Sequence, residues 1–284
     1  MITGEYSVPS SWYDGVYQDK VAPCDAGRSF SLKHSRKSDN AVLCIHGYTG
    51  YPGEMVRPAA DLYKAGCDVY VPRLPGHGTS GRDFEKSRMD DWIRFAENAA
   101  SDLVRSYRNV YLVGHSMGGG IALITAAEVD GIRKAAVAAP AVYAGEKLPV
   151  SPAFAKAISV LIKRFPHSWH TNPAYHMHYE GAPKDDLYLG KQYWSWVYVR
   201  QILELHLLMR RAADSLPAIR IPVEVLVLEN DTILPNPSYP DYIRAHMSAP
   251  LDIRMIEGAS HYIFYDKDSN AEEEAVRSIV SFIA

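Results

Sequence analysis

The stretch from Val110 to Ala122, read Val-Tyr-Leu-Val-Gly-His-Ser-Met-Gly-Gly-Gly-Ile-Ala, restricts what the chain can fold into more than any other part of it. A short apolar run leads into Gly114-His115-Ser116-Met117-Gly118, and a small-residue helical pattern follows at Ile121, Ala122, Leu123, Ile124, Ala126 and Ala127. Strand, sharp turn and helix in that order put Ser116 at the apex, with its side chain pushed out past the C-terminal edge of a sheet. Glycines two residues before and two after are needed there, because a Cβ at either place would collide with the neighbouring strand or helix. The helix aims its free N–H groups and positive dipole end at any charge that develops beside Ser116.

Around this unit the chain alternates. Ala41 to Ile45 is a continuous apolar run of buried-strand length ending in His46-Gly47-Tyr48-Thr49-Gly50. Glu54 to Lys64 carries Met55, Ala59 and Leu62 at helical spacing and stops at Ala65-Gly66. Cys67 to Val71 reads as a strand and runs into the turn formers of Pro72 to Gly81. Ser87 is expected to open a helix whose apolar stripe is Trp92, Phe95, Ala96, Ala99 and Leu103. Ala135 to Ala138 is a further short strand, and Ser29 to His34 is expected at a sheet edge. Repeated strand and helix imply an α/β chain with a mostly parallel central sheet and helices on both faces.

From about Ala144 to Leu216 the alternation breaks. Five prolines, two helical stretches (Ala153 to Lys163 and about Lys191 to Ala213) and the aromatics Trp169, Tyr193, Trp194, Trp196 and Tyr198 fill this part, with no strand of the sheet type. It is expected to be a helical insertion between two sheet strands. The sheet resumes at Val223 to Leu228 and Asp252 to Ile256, and a helix from Ala271 to Phe282 closes the chain. The expected organisation is a first core part over residues 1–143 with an N-terminal arm over 1–28, a cap over 144–216, and a second core part over 217–284.

A chain of 284 residues can bury one sizeable core. A net charge of -3 gives no electrostatic attraction to nucleic acid or to an anionic membrane. The three cysteines are odd in number and lack metal-ligand spacing, and Cys44 inside its apolar run packs as a small hydrophobe. Residues 1–20 have neither a basic start nor an apolar h-region, and no run reaches the roughly 18 apolar residues of a membrane span. The expectation is a cytoplasmic protein with no stable membrane insertion, no nucleic-acid partner, no metal and no organic cofactor; its oligomeric state is left open.

A serine hydroxyl becomes a nucleophile only when a base takes its proton and an acid holds that base in one tautomer. In an open α/β sheet both should lie just past the C-terminal ends of later strands. Asp231 follows the strand ending at Leu228, and His261 follows the strand ending at Ile256. Against them stand His46, expected to brace its loop, His77 in a Pro-Gly-His-Gly turn, His115, whose side chain is expected to point away from the site, and the acids Glu229, Asp241 and Glu257.

The chain resembles the α/β-hydrolase fold, and more narrowly the bacterial monoacylglycerol lipase, carboxylesterase and lysophospholipase group. The resemblance rests on His46 to Gly50, Pro72 to Thr79, Asp91-Trp92, Gly114 to Gly119, Asp231-Thr232-Ile233 and Gly258 to His261. It covers the core and neither the arm nor the insertion. It implies hydrolysis of a small acyl ester by a Ser116, His261, Asp231 triad, with the backbone N–H groups of Tyr48 and Met117 as oxyanion hole. Tyr48 stands where relatives often carry phenylalanine, and its hydroxyl is expected as a polar contact in the acyl pocket. With Trp194, Trp196 and Tyr198 it makes up the expected substrate-binding set, although an aromatic run such as 193–198 can equally pack an insertion onto a core. A cluster at His167, His170, His176 and His178 reads as loop-borne polar residues, not a metal site. Arg210 and Arg211 read as a solvated helix face that a phosphate-bearing head group could use. A peptidase, a carbon–carbon hydrolase and a non-catalytic binding protein are the rival readings on the same scaffold.

Overall fold

The computed structural model describes residues 27–143, 152–168, 190–234, 238–265 and 269–284. The expected arm over 1–28 therefore lies almost wholly outside the described residues, as do Trp169 and much of the expected cap.

Strands β1 (Phe30–Leu32), β2 (Asn40–Ile45), β3 (Asp68–Val71), β4 (Asn109–His115) and β5 (Ile132–Ala138) alternate with helices α1 (Val56–Lys64), α2 (Gly81–Lys86), α3 (Met89–Ser106) and α4 (Met117–Glu128). Then come α5 (Pro152–Leu161), β6 (Arg164–Pro166), β7 (Trp196–Tyr198) and α6 (Val199–Ser215). The chain ends with β8 (Val223–Leu228), α7 (Ser238–His246), β9 (Leu251–Ile256) and α8 (Ser269–Ile283). The main sheet has the order β1-β3-β2-β4-β5-β8-β9. Its pairs are parallel except β1 with β3, which is antiparallel and forms one edge. This is the α/β-hydrolase architecture, mostly parallel with helices on both faces.

The central strands are largely apolar because both faces are covered, and their side chains divide with period two, whereas the edge strand β9 keeps Asp252 and Arg254. Along β2, Ala41, Leu43 and Ile45 join a core containing Trp92 and Phe95 of α3, Ile121 of α4 and Leu208 of α6. Val42 and Cys44 face the opposite core, with Ala59 and Leu62 of α1 and Ala275 and Ile279 of α8. The same division runs along β8, where Val223, Val225 and Val227 face the first core and Leu226 and Leu228 the second.

Several elements differ from the sequence expectation. Ser87 does not open the long helix: Arg88 caps α3, its backbone N–H donating to Asp91 Oδ2 at 2.9 Å, while the Ser87 hydroxyl donates to Phe84 O at 2.9 Å. A separate short helix, α2, precedes it, capped by Ser80, whose Oγ accepts from Asp83 N at 3.2 Å. The stretch read as one helix from Lys191 to Ala213 is a wide turn over Gly190–Trp194, then β7, then α6. β7 pairs with β6 in a small antiparallel ribbon apart from the main sheet. Helix α7, between the last two strands, buries Tyr239 and Ile243, and Met247 just past its end continues the four-residue spacing. No helix of the described residues is long and apolar enough to cross a membrane.

Candidate functional site

Ser116 joins β4 to α4 with φ 52° and ψ -118°, a conformation that L side chains rarely adopt. Backbone bonds hold it there: its N–H donates to Ala138 O at 2.9 Å, and its carbonyl accepts from Gly120 N at 3.1 Å and Ala141 N at 2.9 Å. The flanking glycines are needed for close approach. A Cβ at Gly114 would stand 2.4 Å from Gly118 O, and one at Gly118 would stand 2.1 Å from Ile45 O. The turn therefore fits between β2 and α4 only without those side chains.

β8 and β9 run parallel with Leu228 beside Ile256, so the loops leaving them meet at the same sheet edge as Ser116. They are tied together by Glu229 N to Ile256 O at 3.2 Å and Asn230 N to Ala259 O at 2.8 Å. His261 Nδ1 donates to Asp231 Oδ2 at 2.7 Å, and His261 Nε2 lies 3.0 Å from Ser116 Oγ. With Nδ1 protonated toward the carboxylate, Nε2 is the lone pair that faces the hydroxyl. Asp231 Oδ1 accepts from the N–H groups of Ile233 and Leu234, both at 2.8 Å. Burial alone would raise the Asp231 pKa, but the bond from His261 and these two N–H groups hold it below the ordinary value. Burial pushes His261 below its ordinary value, and the bond to Asp231 only partly offsets this.

His46 is buried, with its pKa lowered by burial to about 4. Its Nδ1 donates to Gly47 O at 3.0 Å and its Nε2 accepts from Leu74 N at 3.1 Å, which braces the loop after β2 against the loop after β3. Met117 is the first residue of α4, so its N–H belongs to the first helical turn, whose donors have no intrahelical acceptor. Tyr48 lies in the turn closed by Gly50 N to Gly47 O at 3.1 Å.

His115 corrects the expectation made for it. Its ring does not point away but sits behind the serine turn, 5.0 Å centroid to centroid from the His261 ring. Its Nδ1 is bonded to Glu54 Oε1 and its Nε2 donates to His261 O at 2.7 Å. Glu54, a buried carboxylate in the short 3₁₀ turn Pro52–Met55, was not singled out from the sequence. Glu54 stands one place before the apolar positions Met55, Ala59 and Leu62, and nothing in that pattern marks it as buried.

Above Ser116 lies a cavity of about 310 Å3. Tyr48, Trp194, Trp196 and Tyr198 all line it, together with Ile202, Leu205, Met209, Ile233 and Leu234. Tyr48 packs edge to face on Phe84 and Trp92, at 5.4 and 6.5 Å. Its hydroxyl is shut off from solvent with no hydrogen-bond partner among the described residues, so it is not presented to the cavity as a polar contact. Among the described lining residues there is no Lys or Arg, and Glu54 is the only carboxylate. Arg211 pairs with Glu128 at 2.6 Å, and Arg210 lies over the Tyr143 ring. No group of three potential metal ligands occurs among the described residues; His170, His176 and His178 lie outside them. Of the acids in the insertion, Glu204 accepts from Met89 N at 3.1 Å and pairs with Arg88 and Arg200 away from the cavity.

Residues 36–268 match the family described as serine aminopeptidase, S33. Over 110 residues the chain is 41% identical to a thermostable monoacylglycerol lipase of Bacillus sp., a match covering 37% of this chain and 44% of that one. Over 134 residues it is 34% identical to a monoacylglycerol lipase of Mycolicibacterium smegmatis, covering 44% and 46% respectively. The chain thus spans under half the length of the curated relatives it matches. Its fold is similar to that of the crystal structure of a Paleococcus ferrophilus monoacylglycerol lipase, with a TM-score of 0.69 at 21% identity, over 90% of this chain and 98% of that one.

Proposed function

The chain belongs to the serine aminopeptidase S33 family, and from that premise we propose that it hydrolyses carboxylic esters, monoacylglycerols first among them, through an acyl-enzyme on Ser116. The observation that carries this reading is the unbroken hydrogen-bonded line from Ser116 Oγ through His261 to Asp231, at 3.0 and 2.7 Å, opening into an aromatic cavity. Ser116 Oγ attacks the ester carbonyl while its proton passes to His261 Nε2. Asp231 stabilises the imidazolium without taking its proton. The tetrahedral oxyanion is held by the N–H groups of Tyr48 and Met117, each worth roughly 3 to 4 kcal/mol. The intermediate collapses as His261 gives the proton to the leaving alcohol. Water then repeats the sequence on the acyl-serine, and the acid leaves.

Tyr48, Trp194, Trp196 and Tyr198 form the acyl wall in this reading, and residues 144–216 act as the cap. The described lining, which has no Lys or Arg, suits a fatty acyl chain with a neutral glycerol head better than a phosphate-bearing one. Residence in the cytoplasm belongs to the same reading and rests on the sequence. The family description names an aminopeptidase, which needs a free carboxylate to grip the substrate amine. Glu54 is the one carboxylate on the described lining, and its Oε1 is engaged by His115 and by Gly47 N, which favours the ester.

The test is hydrolysis of p-nitrophenyl esters of increasing chain length, beside monoacylglycerol, lysophospholipid and aminoacyl amides, with Ser116→Ala as control. Ester cleavage lost in the variant supports the reading. Labelling of Ser116 by a fluorophosphonate without ester cleavage overturns it in favour of amide or carbon–carbon substrates.

A further inference from the structure

Beside the triad lies a second buried acid–imidazole pair. The Glu54 and His115 side chains are each 2% exposed. His115 sits between two acceptors: Glu54 Oε1 at its Nδ1, and the backbone carbonyl of His261 at its Nε2, 2.7 Å away. A carbonyl only accepts, so Nε2 carries a proton. A neutral ring would then turn a bare Nδ1 lone pair on a carboxylate oxygen. That oxygen also accepts from Gly47 N at 3.0 Å, a contact suited to an anion. The arrangement is satisfied when Nδ1 is protonated as well, giving an imidazolium against a carboxylate.

We propose that Glu54 and His115 are positioning residues for the chemistry at Ser116: a buried carboxylate–imidazolium pair that ties three loops into one unit and sets a positive charge behind the base. The proposal rests on the hydrolase reading above. Glu54 fixes Gly47, the residue next to the Tyr48 N–H. His115 directly precedes Ser116 and holds His261 by its backbone, while Asp231 holds it by its ring. The two acid–imidazole pairs thus act on opposite sides of the same histidine.

The charges around the pair agree with this. His115 is faced by Glu54 from the 3₁₀ turn, His261 from the loop after β9, Asp231 from the loop after β8 and His46 from the loop after β2. Phe264 closes the remaining side, its ring 5.6 Å away. Burial opposes a charge on His115, but Glu54 more than compensates and its pKa is raised; burial likewise opposes a charge on Glu54, and His115 holds its pKa down. On His261 burial is the main cause that lowers the pKa, and the positive charge of His115 adds to it, outweighing the opposite effect of Glu54.

The test compares the wild type with Glu54→Gln and with Glu54→Met and His115→Leu, made singly and together, using the rate of fluorophosphonate labelling of Ser116 and the kcat and KM of ester cleavage against pH. Glu54→Gln lowers kcat by about 10- to 100-fold, the scale of a displaced reacting group, with KM little changed. Its acid limb moves to higher pH, because His115 becomes neutral and no longer opposes protonation of His261. The double variant loses less than the sum of its two single variants, since neither partner is left alone. A merely structural role would lower activity evenly across pH and leave the limb in place. Nitrogen-15 NMR of the histidines in the wild type is independent of how any variant folds, and it should find His115 doubly protonated at neutral pH. A singly protonated His115, or a Glu54→Gln enzyme with unchanged kcat and acid limb, overturns the proposal. A wild type that is not labelled at Ser116 overturns the hydrolase reading and this one with it, and is told apart from a labelled wild type whose variant labels equally fast.

Discussion

Replacing Ser116 by alanine and by glycine separates the strain of the turn from its chemistry. Both variants lose Oγ, so the bond to His261 is lost equally and cancels in the comparison. Alanine keeps the Cβ that makes φ 52°, ψ -118° costly, and glycine removes it. A sparsely populated backbone conformation stores about 1 to 3 kcal/mol. Glycine gives back about 0.5 to 1 kcal/mol through the greater freedom of its unfolded chain. The glycine variant should therefore be the more stable by about 1 kcal/mol, the middle of the strain range less the middle of the entropy range. For a domain near this size each kcal/mol moves Tm by roughly 2 to 4 °C, so the expected gap is about 2 to 4 °C. Paired thermal and urea denaturation read it directly. Equal stability, or a more stable alanine variant, would show that the turn is relaxed and that the bonds from Ala138, Gly120 and Ala141 hold no strain.

The remaining expectations concern charge and packing. Asp231→Asn should keep the fold but lower kcat on the order of 10⁴-fold by turning His261 into the wrong tautomer, measured by ester cleavage beside circular dichroism. With His261 as the proposed base and its pKa lowered by burial, kcat/KM should be full at neutral pH and fall only as pH drops below the ordinary histidine value of 6.5; an acid limb above that value would contradict the burial argument. Gly118→Ala should lose about 3 kcal/mol of stability, the upper end of the usual overpacking cost, since its Cβ meets the backbone atoms Ile45 O at 2.1 Å and His46 O at 2.5 Å, and a denaturant midpoint close to wild type would refute this.

The parallel core was legible because its strands are covered on both faces. Ala41–Ile45 is apolar without interruption, Val223–Leu228 is broken only by Glu224, and the helices between them keep a regular stripe. The meeting of Ser116, Asp231 and His261 followed from topology, since each residue leaves the same edge of the sheet. What escaped was set by contacts distant in sequence. Six-residue α2 begins on Gly81 among turn formers, and β6 contains Pro166; each is stabilised by tertiary partners more than by local preference. The direction of His115 was missed for the same reason. Its partners, Glu54 and the His261 carbonyl, come from loops separated from it by 61 and 146 positions.

The aromatic wall is stitched to the core at several points. Tyr193 Oη accepts from Thr79 N at 2.6 Å, Gln192 Oε1 accepts from Gly81 N at 3.1 Å, and Gln201 Nε2 donates to Glu85 O at 2.9 Å. Tyr193, Trp194 and Tyr198 are buried members of the same core as Trp92 and Ile121. In the proposed ester-hydrolase reading, selectivity and folding therefore draw on one set of side chains. A library that varies residues 193–198 to admit a longer or bulkier acyl group will lose members to instability before it exhausts the shapes the cavity could take. Ile202 and Ile233 also face the cavity but are 41% and 50% exposed, and they are the positions where its shape can be changed at least cost to the core.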